Sequence, residues 1–234
     1  MRIIAISQRT RQDIAQLGGI DEEHIDLIYQ SCNPRYSSVL APQQLEDVRG
    51  RLGLPKHFFL SVGSIEERKN LMLAVEALPH LPAELHLVAV GKQTGYAPKM
   101  LQKARRLGVL ERVHLLHGVA DADLQALYQL AEVFVYPSRY EGFGIPIIEA
   151  IQCRLPVVAA TGSCLEEAGG PDCLYVSPDA PDALAAAIVQ LRPGADGREE
   201  RVRRSLLYVQ RFQGLSVASQ VADIYRQLAR GEKA

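Results

Sequence analysis

The stretch RVHLLHGVADADLQALYQLAEVFVYPS, residues 112–138, contains a complete strand–helix–strand unit. RVHLLHG (112–118) and EVFVYPS (132–138) are short runs rich in β-branched and aromatic residues, as in buried strands. The segment between them, 121–131, has apolar residues at helical spacing and starts at Asp121, a residue type that often caps helices. A helical crossover of this kind is typical of parallel strands. The stretch therefore predicts a βαβ unit.

The same alternation continues on both sides of this unit. The other predicted strands are HFFLSVG (57–63), ELHLVAVG (84–91), PVVAA (156–160) and CLYVS (173–177). The other predicted helices cover about 69–79, 96–107, 145–153 and 181–191, and each starts near Asn, Asp or Pro. About six strands that alternate with helices predict an α/β fold: a Rossmann-like, doubly wound parallel sheet with helices on both faces.

The chain divides into three predicted parts. Residues 1–35 do not continue the strand–helix alternation of the main domain. RIIAIS is predicted as a strand, SQRTRQDIAQLG as a helix that begins at Ser7, and HIDLIYQ as a second strand. One βαβ piece cannot cover both faces of its strands, so it either joins the main sheet or belongs to a domain outside this sequence. Residues 36–198 would form the main domain. Residues 199–234 would add two helices, at about 199–210 and 216–230.

Composition excludes several classes of protein. The 47% hydrophobic and 23% charged residues predict a soluble globular protein, and a net charge of −1 disfavours nucleic acid as a partner. Cys32, Cys153, Cys164 and Cys173 show no C-x-x-C spacing, so we expect small core residues with reduced thiols and no zinc site.

Location is predicted from what the sequence lacks. It contains no apolar run near the ~20 residues that cross a bilayer, and no signal peptide. We therefore expect a cytoplasmic protein. Peripheral contact with the inner face of a membrane would need a surface patch or residues outside this sequence.

Ligands of open parallel sheets bind beyond the carboxyl ends of the strands, which directs attention to the loops there. The first loop, SIEERKN (64–70), places Arg68 and Lys69 at the start of a helix. Two cations beside the unpaired N–H groups of a helix N-terminus could hold a phosphate. A solvated pair neutralised by Glu66 and Glu67 is an equally good interpretation of the spacing.

The second loop is YEGFGIPIIEA, residues 140–150. Its two glycines let the backbone approach a ligand, so the N–H groups around Phe143 and Gly144 could meet a phosphate. Glu149, one turn into the helix, could accept hydrogen bonds from a ribose, and Glu141 would reach beyond the phosphates. An exposed helix charge and a loop charge are the rival interpretations, which the glycine placement makes less favoured.

Two further loops complete the predicted crevice. In HGVADADL, backbone groups of Gly118 and Val119 could meet a flat base, while His114 and His117 are predicted to be structural or surface residues. In ATGSCLEEAGG, the side chains of Thr161, Ser163 and Glu166 would lie at the rim of the crevice. The alternative is that they cap a short helix.

Several motifs are missing from the sequence. No G-x-G-x-x-G follows the first strand of the main domain, and no G-x-x-x-x-G-K-[ST] occurs, so a hydride-transferring enzyme and a P-loop are disfavoured. A G-x-S-x-G elbow and a metal-spaced cluster of His and Asp are also missing.

EGFGIPIIEA resembles the E-x7-E signature of retaining, nucleotide-sugar-dependent glycosyltransferases of the group 1, or family four, type. VGSIEERKNL resembles their first phosphate loop, and VAVGK, RLPVVAATGSCLEEAGGPDCLYVSP and ADIYRQL follow in the family's order. The resemblance implies one half of a GT-B architecture, in which this half holds the nucleoside diphosphate sugar.

The resemblance also implies roles for individual residues. Arg68 and Lys69 would bind the diphosphate, and Glu149 the ribose. Glu141, the candidate catalytic residue, would contact the donor sugar. The remaining donor-binding residues would be Val119 at the base and Phe143, Gly144 and Ile145 at the phosphate or sugar. No metal would be needed, because cationic side chains and helix dipoles offset the charge of the leaving group.

Two departures from the family pattern refine the expectation. Ser64 stands where many members have Arg, and the R-K-N form of the loop is similar to that of mannosyltransferases that use GDP-mannose. The chain is also short, so we expect residues 1–35 to be the remnant of an N-terminal acceptor domain and its linker. A glycan or lipid-linked acceptor would then bind through a domain outside this sequence, and the chain alone would be weakly active or inactive.

Two alternatives stay open at this point. A non-catalytic nucleotide-sugar-binding or subunit module would keep the same site and need a separate acceptor-domain partner. A sugar-nucleotide epimerase of the same architecture would not need the whole EGFGIPIIEA pattern. The last helix could also promote self-association through an apolar face.

Overall fold

The computed structural model describes residues 2–212 and 214–230, with only the backbone of 214–216. The predicted bounds of the strands and helices after residue 56 agree with the structure to within two residues at each end. Its strands are β1 (Ile3–Ala5), β2 (Ile25–Leu27), β3 (His57–Val62), β4 (Leu85–Val90), β5 (Val113–Leu116), β6 (Val133–Tyr136), β7 (Val157–Ala160) and β8 (Leu174–Val176). Its helices are α1 (Gln8–Gly18), α2 (Pro42–Leu52), α3 (Leu71–Ala77), α4 (Ala97–Arg106), α5 (Asp121–Leu130), α6 (Ile145–Gln152), α7 (Leu165–Gly169), α8 (Pro181–Gln190), α9 (Arg198–Val209) and α10 (Gly214–Ala229).

Six strands form one parallel sheet in the order β5-β4-β3-β6-β7-β8. The chain first winds outward from β3 to β5, then returns to the middle and winds the other way from β6 to β8. This reversal of direction defines a doubly wound sheet, and it confirms the predicted Rossmann-like class. The reversal lies between β3 and β6.

The sheet is covered on both faces by apolar side chains. Phe58 and Phe134 point to one face and pack with α5, α6 and α9, whereas Phe59 and Val133 point to the other and pack with α3, α4 and α8. Such alternation follows from the period of two along a strand. All four cysteines are buried free thiols, as predicted.

The N-terminal segment forms its own small sheet. β1 and β2 pair in parallel, with Ile3 opposite Ile25, and neither joins the six-stranded sheet. Ser7 caps α1 by accepting a hydrogen bond from the backbone N–H of Thr10 at 3.0 Å, as predicted. The division into residues 1–35, 36–198 and 199–234 stays a prediction, and residues 1, 213 and 231–234 lie outside the described residues.

Helix α2 was not predicted from the sequence. Pro42 occupies its first turn and Gly53 ends it in the left-handed conformation with a φ of 61°. The Gln44 side chain accepts a hydrogen bond from the Ala41 backbone N–H at 3.0 Å. Proline at the start and glycine past the end are known helix boundaries, so the signal was present.

Among the residues that the structure describes, no helix combines the length and the apolar composition that crossing a lipid bilayer requires.

Two histidines meet on neighbouring strands of the sheet. His86 Nδ1 on β4 lies 2.8 Å from His114 Nε2 on β5. Burial lowers the pKa of His86, and the charges of His114 and Arg112 lower it further. Burial also lowers the pKa of His114, although Glu111 opposes this effect. Because only one ring can donate the shared proton, the pair favours the neutral form.

We therefore predict a stability that falls in mild acid. Both pKa values lie below the unfolded value of about 6.5, so the unfolded chain binds more protons there and stability is lost as the pH falls through the folded pKa values. The midpoint of thermal unfolding should drop between about pH 7 and 5. His114→Gln should make that drop shallower, and His117→Gln, on an exposed loop, serves as the control. Parallel pH profiles for wild type and His114→Gln would contradict this account.

Candidate functional site

The candidate site lies where the winding of the sheet reverses. The loop after β3, residues 63–70, and the loop after β6, residues 137–144, meet because β3 and β6 are neighbouring parallel strands. The backbone N–H of Arg139 donates to the carbonyl of Arg68 at 2.9 Å, which joins the two loops directly. Crevices at such reversal points are the usual ligand sites of this architecture.

Two cations and one carboxylate converge in this crevice. Lys69 Nζ lies 2.6 Å from Glu141 Oε1, and Arg68 Nη1 lies 3.0 Å from Glu141 Oε2. We call Arg68, Lys69 and Glu141 the ionic cluster. Arg68 Nη2 also donates to the half-buried Glu66 at 2.8 Å. The structure thus brings together three of the predicted residues, and Glu66 is the partial neutraliser that the rival interpretation anticipated.

Lys69 has a second partner that the sequence interpretation missed. Its ammonium donates to the Tyr136 hydroxyl at 2.7 Å and lies 5.0 Å from the centroid of that ring. Gly63, with a φ of 144°, would bring a Cβ within 3.4 Å of the Lys69 side chain. Tyr136 is the last residue of β6, and Gly63 directly follows β3. They therefore fix Lys69 over the switch point.

Glu141 is a buried carboxylate that stays ionised. Only 9% of its surface is exposed. Burial alone raises its pKa, but the hydrogen bond from Lys69 and the charges of Lys69 and Arg68 outweigh this, so the pKa of Glu141 is lowered overall. The opposite charges supply what water would otherwise supply to a buried anion.

The loop that carries Glu141 is held by contacts with α1 and with Cys164. The Thr10 hydroxyl on α1 donates to the carbonyl of Gly142 at 3.0 Å, and the Tyr140 hydroxyl donates to Asp13 at 2.7 Å. The Cys164 thiol lies 3.1 Å from the Glu141 carbonyl and 2.8 Å from the Phe143 carbonyl. These contacts leave the loop little freedom, so Glu141 is positioned by its backbone as well as by its charge.

The turn into α6 combines a buried side chain with free amides. The Phe143 ring is buried and stacks on Tyr29 at 5.4 Å between centroids. Within the described residues, the backbone N–H groups of Phe143 and Gly144 donate to no carbonyl or side chain, and Ile145 is the first residue of α6. Gly144 has a φ of 145°, a conformation that side chains disfavour. The N-terminus of α6 can therefore offer donors to an anion.

Glu149 lies apart from the ionic cluster, on the side of α6 that faces Tyr128 of α5. The Tyr128 hydroxyl donates to Glu149 Oε2 at 2.8 Å. Burial raises the pKa of Glu149, and the bond from Tyr128 offsets part of this rise. A half-buried carboxylate with one oxygen still available can accept hydrogen bonds from a hydroxyl-rich ligand.

An open groove of about 590 Å³ lies beyond the ends of β4 and β5. It borders Val119, the predicted base contact, and its lining includes Gly91, Lys92, Gln93, His117, Gly118 and Val119. The exposed side chains of Lys92 and Gln93 follow the end of β4, so the rule about strand ends would have found them.

The fourth predicted loop contributes other residues than those named from the sequence. Glu166 is exposed on α7, whereas its neighbour Glu167 accepts from the Gln8 backbone N–H at 2.8 Å and from the Tyr29 hydroxyl at 2.7 Å. Asn70, which was also missed, is buried with a φ of 53° and donates to the carbonyls of Pro137 and Pro178. Only the tertiary contacts reveal these two residues.

A family model described as Glycosyl transferases group 1 matches residues 56–192, more than half of the chain. The chain belongs to this family. It is 30% identical over 231 residues to O-antigen chain mannosyltransferase B of Escherichia coli, covering 97% of this chain and 60% of that protein. It is 29% identical over 210 residues to O-antigen chain mannosyltransferase RfbU of Salmonella typhimurium, covering 90% of this chain and 55% of that protein.

Among solved structures, Anabaena HepE in complex with UDP and glucose superposes with a TM-score of 0.88 at 23% identity, covering 97% of this chain and 63% of that one. This similarity concerns the fold. The chain spans about 60% of the length of the two curated relatives. For this member of the group 1 glycosyltransferase family, the fold is thus shown, and the roles of the individual site residues stay predictions.

The crevice depends on close contact between the loops after β3 and β4. A Cβ added at Gly91 would lie 1.9 Å from the carbonyl oxygen of Gly63. We predict that Gly91→Ala lowers the free energy of unfolding by about 1–3 kcal/mol, because backbone must move to relieve the overlap. Gly95→Ala, which meets nothing within 4 Å, is the matched control. Chemical denaturation measures both, and equal stability of the two variants would refute the contact.

Proposed function

We propose that this chain binds a nucleoside diphosphate sugar in the crevice between the loops after β3 and β6. The observation that carries the proposal is the convergence of Arg68 and Lys69 at the switch point, next to free amides at the N-terminus of α6. A diphosphate offers the acceptor oxygens that both kinds of donor need.

The positions of the base and the ribose follow from a diphosphate at the ionic cluster. With the diphosphate at the ionic cluster, the nucleoside would extend into the groove beside Val119, where its base meets the backbone of Gly118 and Val119. Glu149 would accept hydrogen bonds from the ribose hydroxyls. Phe143, Gly144 and Ile145 would form the phosphate and sugar side of the pocket.

The proposed reaction is the transfer of a hexose with retention. The acceptor hydroxyl would attack the anomeric carbon on the face that the diphosphate leaves, so the new C–O bond forms as the old one breaks. The acceptor proton would pass to an oxygen of the departing diphosphate. Arg68 and Lys69 would stabilise the charge of that leaving group without a metal ion, and Glu141 would orient the sugar.

Mannose is the proposed sugar and GDP-mannose the proposed donor. The support is that both curated relatives are named mannosyltransferases and that the loop has the R-K-N form. The acceptor would be a glycan or a lipid-linked glycan, bound together with residues outside the described chain. A binding module without transfer activity would keep the same donor site, and a product assay with a supplied acceptor domain would distinguish the two.

Calorimetric titration with GDP, UDP and ADP tests donor binding, with GDP expected to bind most tightly. Lys69→Ala should weaken GDP binding about 10- to 100-fold, because a charge-assisted hydrogen bond is worth about 1.5–3 kcal/mol. Lys103→Ala is the matched control, since Lys103 also forms an ion pair, 2.6 Å from Glu76, but lies on α4. Failure of the wild type to bind any of the three nucleotides would refute the proposal.

Glu149→Ala should weaken GDP binding about tenfold, because the ribose hydroxyls lose their acceptor. Binding of inorganic pyrophosphate, which has no ribose, should change less than about twofold. The same titration of Tyr128→Phe tests the hydrogen bond that holds the Glu149 carboxylate, as distinct from the carboxylate itself. Tyr128 donates to Glu149 but would not contact the ribose. Equal losses for GDP and pyrophosphate would remove the ribose assignment.

A further inference from the structure

Both oxygens of the Glu141 carboxylate are committed to the predicted phosphate-binding cations. Oε1 takes the Lys69 ammonium at 2.6 Å, and Oε2 takes the Arg68 guanidinium at 3.0 Å. The side chains of Lys69 and Glu141 are only 16% and 10% exposed, so water screens this contact poorly. A phosphate that approaches Arg68 and Lys69 meets cations that already have an anionic partner.

The formal charges of these four side chains cancel. Arg68 and Lys69 contribute two positive charges, while Glu141 and Glu66, which accepts from Arg68 at 2.8 Å, contribute two negative ones. A diphosphate adds further negative charge next to Glu141. Like charges at such distances repel, most strongly where burial lowers the effective dielectric constant.

Apart from the two cations, the hydroxyl groups of Ser138 and Tyr136 are the hydrogen-bond donors that act on the Glu141 carboxylate. The Glu141 side chain is only 10% exposed, so little water reaches it, and the loop from Tyr140 to Gly144 is held by Thr10 and Asp13. A buried anion that loses its counter-ions needs new hydrogen-bond donors. The hydroxyl groups of a sugar next to the diphosphate are such donors, whereas a bare nucleoside diphosphate has none at that end.

We propose that Glu141 is the internal counter-ion of Arg68 and Lys69, and that a nucleoside diphosphate sugar binds by partner exchange. The diphosphate takes over the two cations, and the sugar hydroxyls take over the carboxylate. This inference rests on the proposed donor function and deepens it. A nucleoside diphosphate without sugar supplies only half of the exchange, so Glu141 weakens product binding relative to donor binding and favours product release.

The test compares GMP, GDP and GDP-mannose by calorimetry on wild type and Glu141→Gln. Removing the negative charge should tighten GDP binding about three- to tenfold and loosen GDP-mannose binding by a similar factor. GMP, with one phosphate, should change less than about twofold. GDP binding should also depend more steeply on salt in the variant, because its cations are less neutralised.

Two further variants separate charge from structure. Glu66→Gln removes a carboxylate that also contacts Arg68 but is more exposed than Glu141, with 37% against 10% of the side chain exposed, and it should alter GDP affinity less than about twofold. Glu141→Asp keeps the charge on a shorter side chain, so GDP affinity should stay near that of wild type while GDP-mannose binding weakens. Thermal unfolding of each variant checks that the fold is intact.

The outcomes distinguish the counter-ion role of Glu141 from the proposed nucleotide binding. If Glu141 merely holds the cations in place, Glu141→Gln weakens GDP and GDP-mannose together, and the counter-ion role is refuted. Unchanged GDP affinity in Glu141→Gln refutes it as well, although nucleotide binding by the wild type would still support the donor site. Wild type that binds none of these nucleotides overturns the proposed function, and this inference with it.

Discussion

Strands β3 and β6 lie side by side and parallel, with Phe59 opposite Val133 and Leu60 opposite Phe134. Every other feature of the crevice depends on this pairing. The strands are more than seventy residues apart in the chain, yet their carboxyl ends deliver two loops to one place. The apolar side chains on both faces leave the sheet no freedom to shift, because a slip of one residue would turn them toward the wrong layer.

The charged groups of the crevice are stable because they satisfy each other. Glu141 is buried, but Lys69 and Arg68 compensate for its lost hydration, and Tyr136 holds Lys69 on its other side. Such an arrangement costs more than an apolar one of the same shape, so its presence at a loop junction points to function. Removing Glu141 would take away the carboxylate that Lys69 and Arg68 share.

The N-terminal segment contributes to the crevice although its strands form a separate sheet. Glu167 caps the first backbone N–H of α1, and α1 in turn contacts the loop of Glu141 through Thr10 and Asp13. The anion at the helix N-terminus is favoured by the helix dipole. The N-terminal segment and the loop of Glu141 are therefore linked by direct contacts, so a movement of either would change the position of Glu141.

Apart from the short helix α7, the sequence by itself determined the order and type of the strands and α-helices from residue 57 onward, because buried strands and amphipathic helices have distinct periods and clear boundary residues. It also marked Arg68, Lys69, Glu141 and Glu149 as candidates, because polar residues at strand ends and helix starts stand out from an apolar pattern. It could not show that three of these residues form one ionic cluster while Glu149 pairs with Tyr128. Nor could it reveal Asn70, Cys164 and Glu167 as supports of the loops. Those contacts join residues far apart in the chain, and only the winding of the sheet decides which distant side chains meet.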